Sequence, residues 1–204
     1  MLFRRLMVLA VIATILLVTT VAQAFDGNRK GFIIGFGVGP GYTSFTQTVK
    51  NVTTGFDETS DTENSFSFAT DFKIGGGITD QFLLYYVNRV TWFGMENALN
   101  ENVTIANGVG GVGVSYYLET TAPAFYFLGS IGLSTWMTPF EDESSNWVGF
   151  GVSGGVGYEF AAHWGVEATV NYGNPKDEET VMNNKIEAST SALAFVVTVY
   201  GLAY

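Results

Sequence analysis

Five charged residues stand inside segments that otherwise alternate large apolar residues with Gly, Ser and Thr. They are Asp71, Lys73, Arg89, Glu159 and Glu167. Charges so placed do one of two things. They pair as a structural plug, because a buried charge needs a partner, or they exchange partners and gate a narrow ion path. Hydrolytic chemistry has less to draw on. Such sites need a His general base beside Ser or Asp, and the only His is His163. It lies in a short connection next to Trp164 and reads as an interfacial turn residue. With no Cys in the chain, disulfides, thiolate metal sites and Cys nucleophiles are all excluded. Gly35-x-Gly37-x-Gly39 and the run from Gly108 to Gly113 lack the following helix or P-loop Lys of a phosphate site. No catalytic set, cofactor site or metal centre is therefore expected.

The elements that position these charges are strands. In Phe66 to Ile78, the residues Phe66, Phe68, Phe72, Ile74 and Ile78 share one parity, while Asp71, Lys73, Gly75 and Gly77 share the other. In Val148 to Phe160, Val148, Phe150, Val152, Val156, Tyr158 and Phe160 oppose Gly, Ser and Glu159. Eight such segments follow one another: Phe32–Gln47, Ser65–Thr79, Phe82–Phe93, Thr104–Leu118, Ala124–Thr138, Trp147–Ala161, Trp164–Gly173 and Ala188–Tyr204. Each covers the roughly 9–11 residues of a tilted membrane-spanning strand. Small residues on the polar parity suit a narrow lumen, and aromatic residues on the other suit lipid. The expected fold is an all-β, eight-stranded antiparallel transmembrane up-and-down β-barrel. Asp71, Lys73 and Arg89 then lie on strands two and three, diametrically opposite Glu159 and Glu167 on strands six and seven. An eight-strand lumen is just wide enough for side chains to fill it, so opposed charges meet across it. Arg89 belongs inside although its parity sends Asn88 outward, because an Arg facing lipid at the midplane costs about 2–4 kcal/mol.

The first 24 residues read as a cleaved leader. Arg4 and Arg5 precede an apolar core from Leu6 to Val18, and Ala22-Gln23-Ala24 is a small-x-small cleavage site. The barrel is then residues 25–204. Its connections alternate in length. Thr79-Asp80-Gln81, Glu119 to Pro123 and Ala161-Ala162-His163 are short; Thr48–Asn64, Gly94–Val103, Pro139–Asn146 and Asn174–Glu187 are longer. Short periplasmic turns and longer external loops make that pattern, which puts both termini in the periplasm. The chain carries 9 basic and 19 acidic residues, a net charge of −10. Losing Arg4 and Arg5 leaves 7 against 19, or −12, and the long connections hold −3, −2, −3 and −2 of it. That sign excludes a nucleic-acid binder. Glu141-Asp142-Glu143 is too compact to cage a metal alone. Acidic loops read as solvated faces, or as sites where divalent cations bridge to lipopolysaccharide phosphates.

Gly155-Val156-Gly157-Tyr158-Glu159-Phe160, a turn, then Trp164-Gly165-Val166-Glu167 resembles the sixth-to-seventh hairpin of OmpA/OmpX-like outer-membrane barrels. Gly75-Gly76-Gly77-Ile78-Thr79-Asp80-Gln81-Phe82 resembles an earlier hairpin of the same kind. The final stretch, with Tyr200, Leu202 and Tyr204 at alternate positions, resembles the C-terminal assembly signal of outer-membrane proteins, where the last residue is usually Phe. The resemblance implies a location in the cell outer membrane, contact with its lipid and lipopolysaccharide, insertion by the barrel-assembly machinery, and a monomer. It implies no single activity. A structural or surface-interaction role leads. A narrow gated pore or a small hydrophobic-solute channel, as in OmpW-type barrels, comes second, and a lipid A-modifying enzyme third.

Overall fold

The computed structural model describes residues 27–96, 102–141, 146–181 and 184–204. The predicted leader with Ala22 and Ala24 lies outside them, as do Asp142 and Glu143. The described residues form nine strands: β1 (Gly31–Asn51), β2 (Phe56–Thr59), β3 (Glu63–Gly77), β4 (Phe82–Glu96), β5 (Asn102–Tyr117), β6 (Ala124–Met137), β7 (Asn146–Ala161), β8 (Trp164–Val181) and β9 (Asn184–Ala203). Each long strand runs antiparallel to its chain neighbour, and β1 pairs with β9 to close the ring.

The short β2 is not a ninth stave. It pairs only with the tip of β1, from Thr48↔Thr59 to Asn51↔Phe56. Lower down, the same side of β1 is held by β3, as far as Phe45↔Glu63. Between these pairs β1 advances from Phe45 to Thr48 while its partner runs from Glu63 to Thr59, one residue more. β2 is thus the second stave continued across a bulge. The Gln47 backbone fills the offset: its carbonyl accepts from Ser60 N–H at 2.8 Å, and its N–H donates to Ser60 Oγ at 3.1 Å. Eight staves remain, as the alternation predicts.

The stagger is readable from the register. Following ladder partners once round gives Gly35, Lys73, Val87, Gly111, Gly132, Gly151, Gly173, Ala192 and then Phe45. The path leaves β1 at residue 35 and returns at 45. Such a shear tilts the strands and fixes a narrow barrel. Five of these nine inward positions are glycine, which leaves room for larger side chains reaching in from other staves.

The exterior is apolar. Phe36, Phe66, Phe68, Phe125, Phe127, Ile131, Leu133, Phe150, Trp164 and Phe195 are all exposed. A water-soluble barrel hides that parity; a membrane barrel presents it to lipid. The seam between β1 and β9 has one irregularity. Its pairing passes from Val38↔Val199 to Gly41↔Val196, because Pro40 has no N–H to give. A Cβ on neighbouring Gly39 would run into the Val197 carbonyl, so glycine there permits the close approach of β9.

The structure corrects two strand ends. β8 continues through Asn174–Val181 and β9 starts at Asn184, where a loop over Asn174–Glu187 is expected. β1, β2 and β3 likewise absorb most of Thr48–Asn64. These extensions are polar on at least one side and lack the apolar alternation that marks strands. Cross-strand ion pairs hold them instead: Lys176–Glu187 at 3.0 Å, Lys185–Glu178 at 2.7 Å and Lys50–Asp57 at 3.6 Å. Hydrogen bonds from Lys185, then Lys176, lower the Glu178 pKa; those to Glu187 and Glu178 raise that of Lys176. The two tips are tied together. Val52 N–H donates to the Lys185 carbonyl at 2.8 Å, and Lys185 N–H to Thr53 Oγ1 at 3.0 Å. One side of the rim therefore stands as a raised sheet of β8, β9, β1 and β2.

Candidate functional site in the barrel lumen

The inward parity fills the lumen in three layers. The first lies at the end where the described chain begins and finishes. Arg29, just ahead of β1, turns into the mouth and is fully buried. Its Nε donates to Glu159 Oε2 at 2.8 Å, and its Nη1 donates to the carbonyls of Asp80 and Glu119 at 3.1 and 3.0 Å. Those carbonyls belong to two different turns, so one planar guanidinium ties both turns to β7. Its face stacks 4.0 Å above the Tyr117 ring. Tyr204 OH donates to the other Glu159 oxygen.

The second layer holds the predicted charges. Glu167 is its hub. It accepts from Lys73 Nζ, from Tyr126 OH at 2.6 Å and from Arg89 Nη2 at 3.4 Å. Arg89 Nε donates to Asp71 Oδ2 at 2.7 Å, and Nη1 to Ser153 Oγ at 2.8 Å. Lys73 also sits 5.1 Å from the Tyr200 ring centre. Two cations face two anions here, all buried. Burial in a low-dielectric interior strengthens each attraction and penalises any unpaired charge. Glycine makes this layer possible: a Cβ on Gly157 would collide with the Tyr126 ring. A void of about 10 Å³ remains beside Asp71, Arg89 and Asn171, about the room of one water.

The third layer begins with hydroxyls and amides. Asn107 Nδ2 donates to Thr91 Oγ1 at 3.3 Å, and Thr43 Oγ1 donates to the same atom at 3.4 Å. Above them is an aromatic cap. The rings of Phe45, Phe93 and Trp136 pack together with centroids 5.0–5.7 Å apart, with Val103, Ile105 and Ala192 around them.

Asp71, Lys73, Arg89 and Glu167 thus come together, with contacts running across the barrel from β3 and β4 to β8. Glu159 does not join them. It lies in the lower layer and pairs with Arg29, which the sequence analysis leaves out. Arg29 precedes the first alternating segment, so no parity assigns it to the lumen. The signal for the cap is present but easily misread. Phe45, Phe93 and Trp136 share the inward parity of Thr43, Thr91 and Ser134, against the general placement of aromatics on the lipid face. Tyr200, Leu202 and Tyr204 all face inward and are buried. His163 adopts a left-handed conformation, φ 72°. Its Nδ1–H donates to the Leu202 carbonyl at 3.1 Å, and its N–H to Tyr204 OH at 3.2 Å.

A closed eight-stave barrel with an apolar exterior and a lumen filled by charged, polar and aromatic side chains defines the class: the fold is that of the small outer-membrane β-barrels. Among solved structures, the chain is similar to OprG, an outer membrane protein of Pseudomonas aeruginosa. The identity is 14%, the match covers 87% of this chain and 98% of that one, and the TM-score is 0.54. It is also similar to AlkL in lipid bilayers, at 15% identity, 88% and 94% coverage and a TM-score of 0.44. A third is the Yersinia pestis attachment invasion locus protein Ail, solved with the heparin analogue sucrose octasulfate, at 13% identity, 82% and 99% coverage and a TM-score of 0.40. No protein-family model matches the sequence, and no curated protein does.

Proposed function

We propose that this protein is a closed outer-membrane barrel that acts at its external rim rather than through an axial pore. The observation that carries this is the filled lumen. Arg29 and Glu159 cork one mouth, the Glu167 hub crosses the middle, and the aromatic cap seals the far end. In this reading the leader exports the chain, the barrel-assembly machinery inserts it, and the termini face the periplasm. Lipid and lipopolysaccharide surround the monomer, and the raised acidic rim meets other surfaces. The ion pairs act as plug rather than gate. No hydrolytic role is assigned: His163 lies in the turn between β7 and β8, its ring bonded to the Leu202 carbonyl and packed against the Tyr204 ring at 4.4 Å. Planar-bilayer recordings of the purified protein test this. A flat trace is expected, and unitary current steps at moderate voltage would sink the closed-lumen reading.

A second reading has its own observation. The β3–β4 ladder ends at Phe68↔Trp92, although β3 runs on to Glu63 and β4 to Glu96. Phe66 beside that split is 85% exposed, Phe93 of the cap lies on its inner side, and Trp92 stacks with Phe140 at 6.4 Å. In this second reading a small hydrophobic solute that reaches the cap leaves sideways into lipid at that split. Cells expressing the barrel should take up such a solute faster than cells without it. A disulfide between Phe66→Cys and Gly94→Cys should abolish the gain, and uptake that is unaltered by the cross-link argues against the route.

A further inference from the structure

The raised part of the rim has two unlike faces. Directly paired residues on antiparallel strands share a face, so the register sorts them. The parity of Phe45 and Gln47 continues up β1 to Val49 and Asn51. Their partners are Glu58 and Phe56 on β2, and Ala188 and Ile186 on β9. Across β9 these meet Asp177 and Glu179 of β8. That is the inner face, above the mouth. The outer face carries Lys50, Asp57, Lys176, Glu178, Lys185 and Glu187.

Every Lys of the raised sheet is on the outer face, and each is paired there. The inner face keeps three carboxylates, Glu58, Asp177 and Glu179, and no ion pair reaches any of them among the described residues. Between them lie apolar side chains. Phe56 is 63% exposed and Val49 49%, and Ile186 and Ala188 are half-buried. The same inner parity leads down β1 and β9 to Phe45 and Ala192 of the cap. Exposed apolar side chains grouped on a sheet face that no other described element covers mark a contact surface rather than a core. Unpaired carboxylates framing it set the sign of what fits.

We infer that this inner face docks a cationic amphipathic peptide segment, one that alternates basic and apolar side chains. This rests on the reading of the rim as the working surface. Apolar side chains of the guest cover Val49, Phe56 and Ile186, and its Lys or Arg groups meet Glu58, Asp177 and Glu179. A second copy of this chain is disfavoured, because it would bring the same unpaired carboxylates face to face.

The test uses the refolded barrel in nanodiscs of zwitterionic lipid. The probes are a short fluorescent peptide alternating Lys and Val, its Glu/Val counterpart and a Lys/Ser version. Anisotropy should report saturable binding of the Lys/Val peptide alone, weakening with salt. Phe56→Ser with Ile186→Ser should weaken it by about tenfold or more. Glu58→Gln, Asp177→Gln and Glu179→Gln together should do the same. Replacing the outer Lys50, Lys176 and Lys185 by Gln should not weaken it. Equal binding by the inner-face variants, by empty nanodiscs or by either control peptide overturns the inference, as does peptide-independent dimerisation lost with Phe56→Ser. The conductance experiment reads a different property. Loss of the peptide contrast leaves the closed lumen standing, and current steps leave the docking face standing.

Discussion

Replacing Glu167 by Ala should lower the unfolding free energy of the barrel by about 3–5 kcal/mol, the usual consequence of leaving buried charges uncompensated. Among the described residues, Glu167 is the only acceptor that touches both cations of the middle layer. Without it, Lys73 has no ion-pair partner among the described residues, and Arg89 keeps Asp71 alone. Tyr126 also loses the acceptor for its hydroxyl. Urea titration of the folded, heat-modifiable band in lipid vesicles measures the loss. A companion variant sharpens it. Glu167→Leu with Lys73→Met removes a buried pair together and leaves Arg89 with Asp71, so most of the stability should return. If Glu167→Ala costs less than about 1 kcal/mol, the range of exposed pairs, the layer is wetter and looser than its geometry implies.

The second large effect belongs to Arg29. Arg29→Ala should cost about as much, roughly 3–5 kcal/mol, from a residue that is not in any strand. Among the described residues Glu159 would keep only the Tyr204 hydroxyl, and the Asp80 and Glu119 carbonyls would lose their shared donor. Arg29→Lys should recover little. A point-like ammonium cannot serve a carboxylate and two carbonyls in one plane while stacking on Tyr117. Hydrogen exchange gives a local readout: amides in the turns after β3 and β5 should lose protection in the variant, while those beside the aromatic cap keep theirs. Uniform loss of protection along every stave would show that Arg29 acts on the whole barrel and not as a cork.

Most of the barrel was legible because alternation is a property of each strand by itself. Phe66 to Ile78 declares its two faces with no knowledge of its neighbours. The size of the inward residues, Gly and Ser, then separates lumen from lipid. That sufficed to place Asp71, Lys73, Arg89 and Glu167 within reach of one another. Glu159 was harder. Parity turns it inward but says nothing of depth, and the stagger puts it a layer below Glu167. Its partner Arg29 carries no periodic signal at all. The rim was missed for a different reason. Lys176, Glu178, Lys185 and Glu187 form strands because they pair across a hairpin, and a pattern built on apolar residues does not register that. The bulge between β2 and β3 shows only when register is counted on both strands.

The matching of charges within each lumen layer has an electrical consequence. Lys73 and Arg89 balance Asp71 and Glu167, and Arg29 balances Glu159. A potential difference across the membrane does work on a body in proportion to its net charge. Each layer, moved as a unit, carries none. Voltage alone therefore supplies no net force to expel the plug from this barrel.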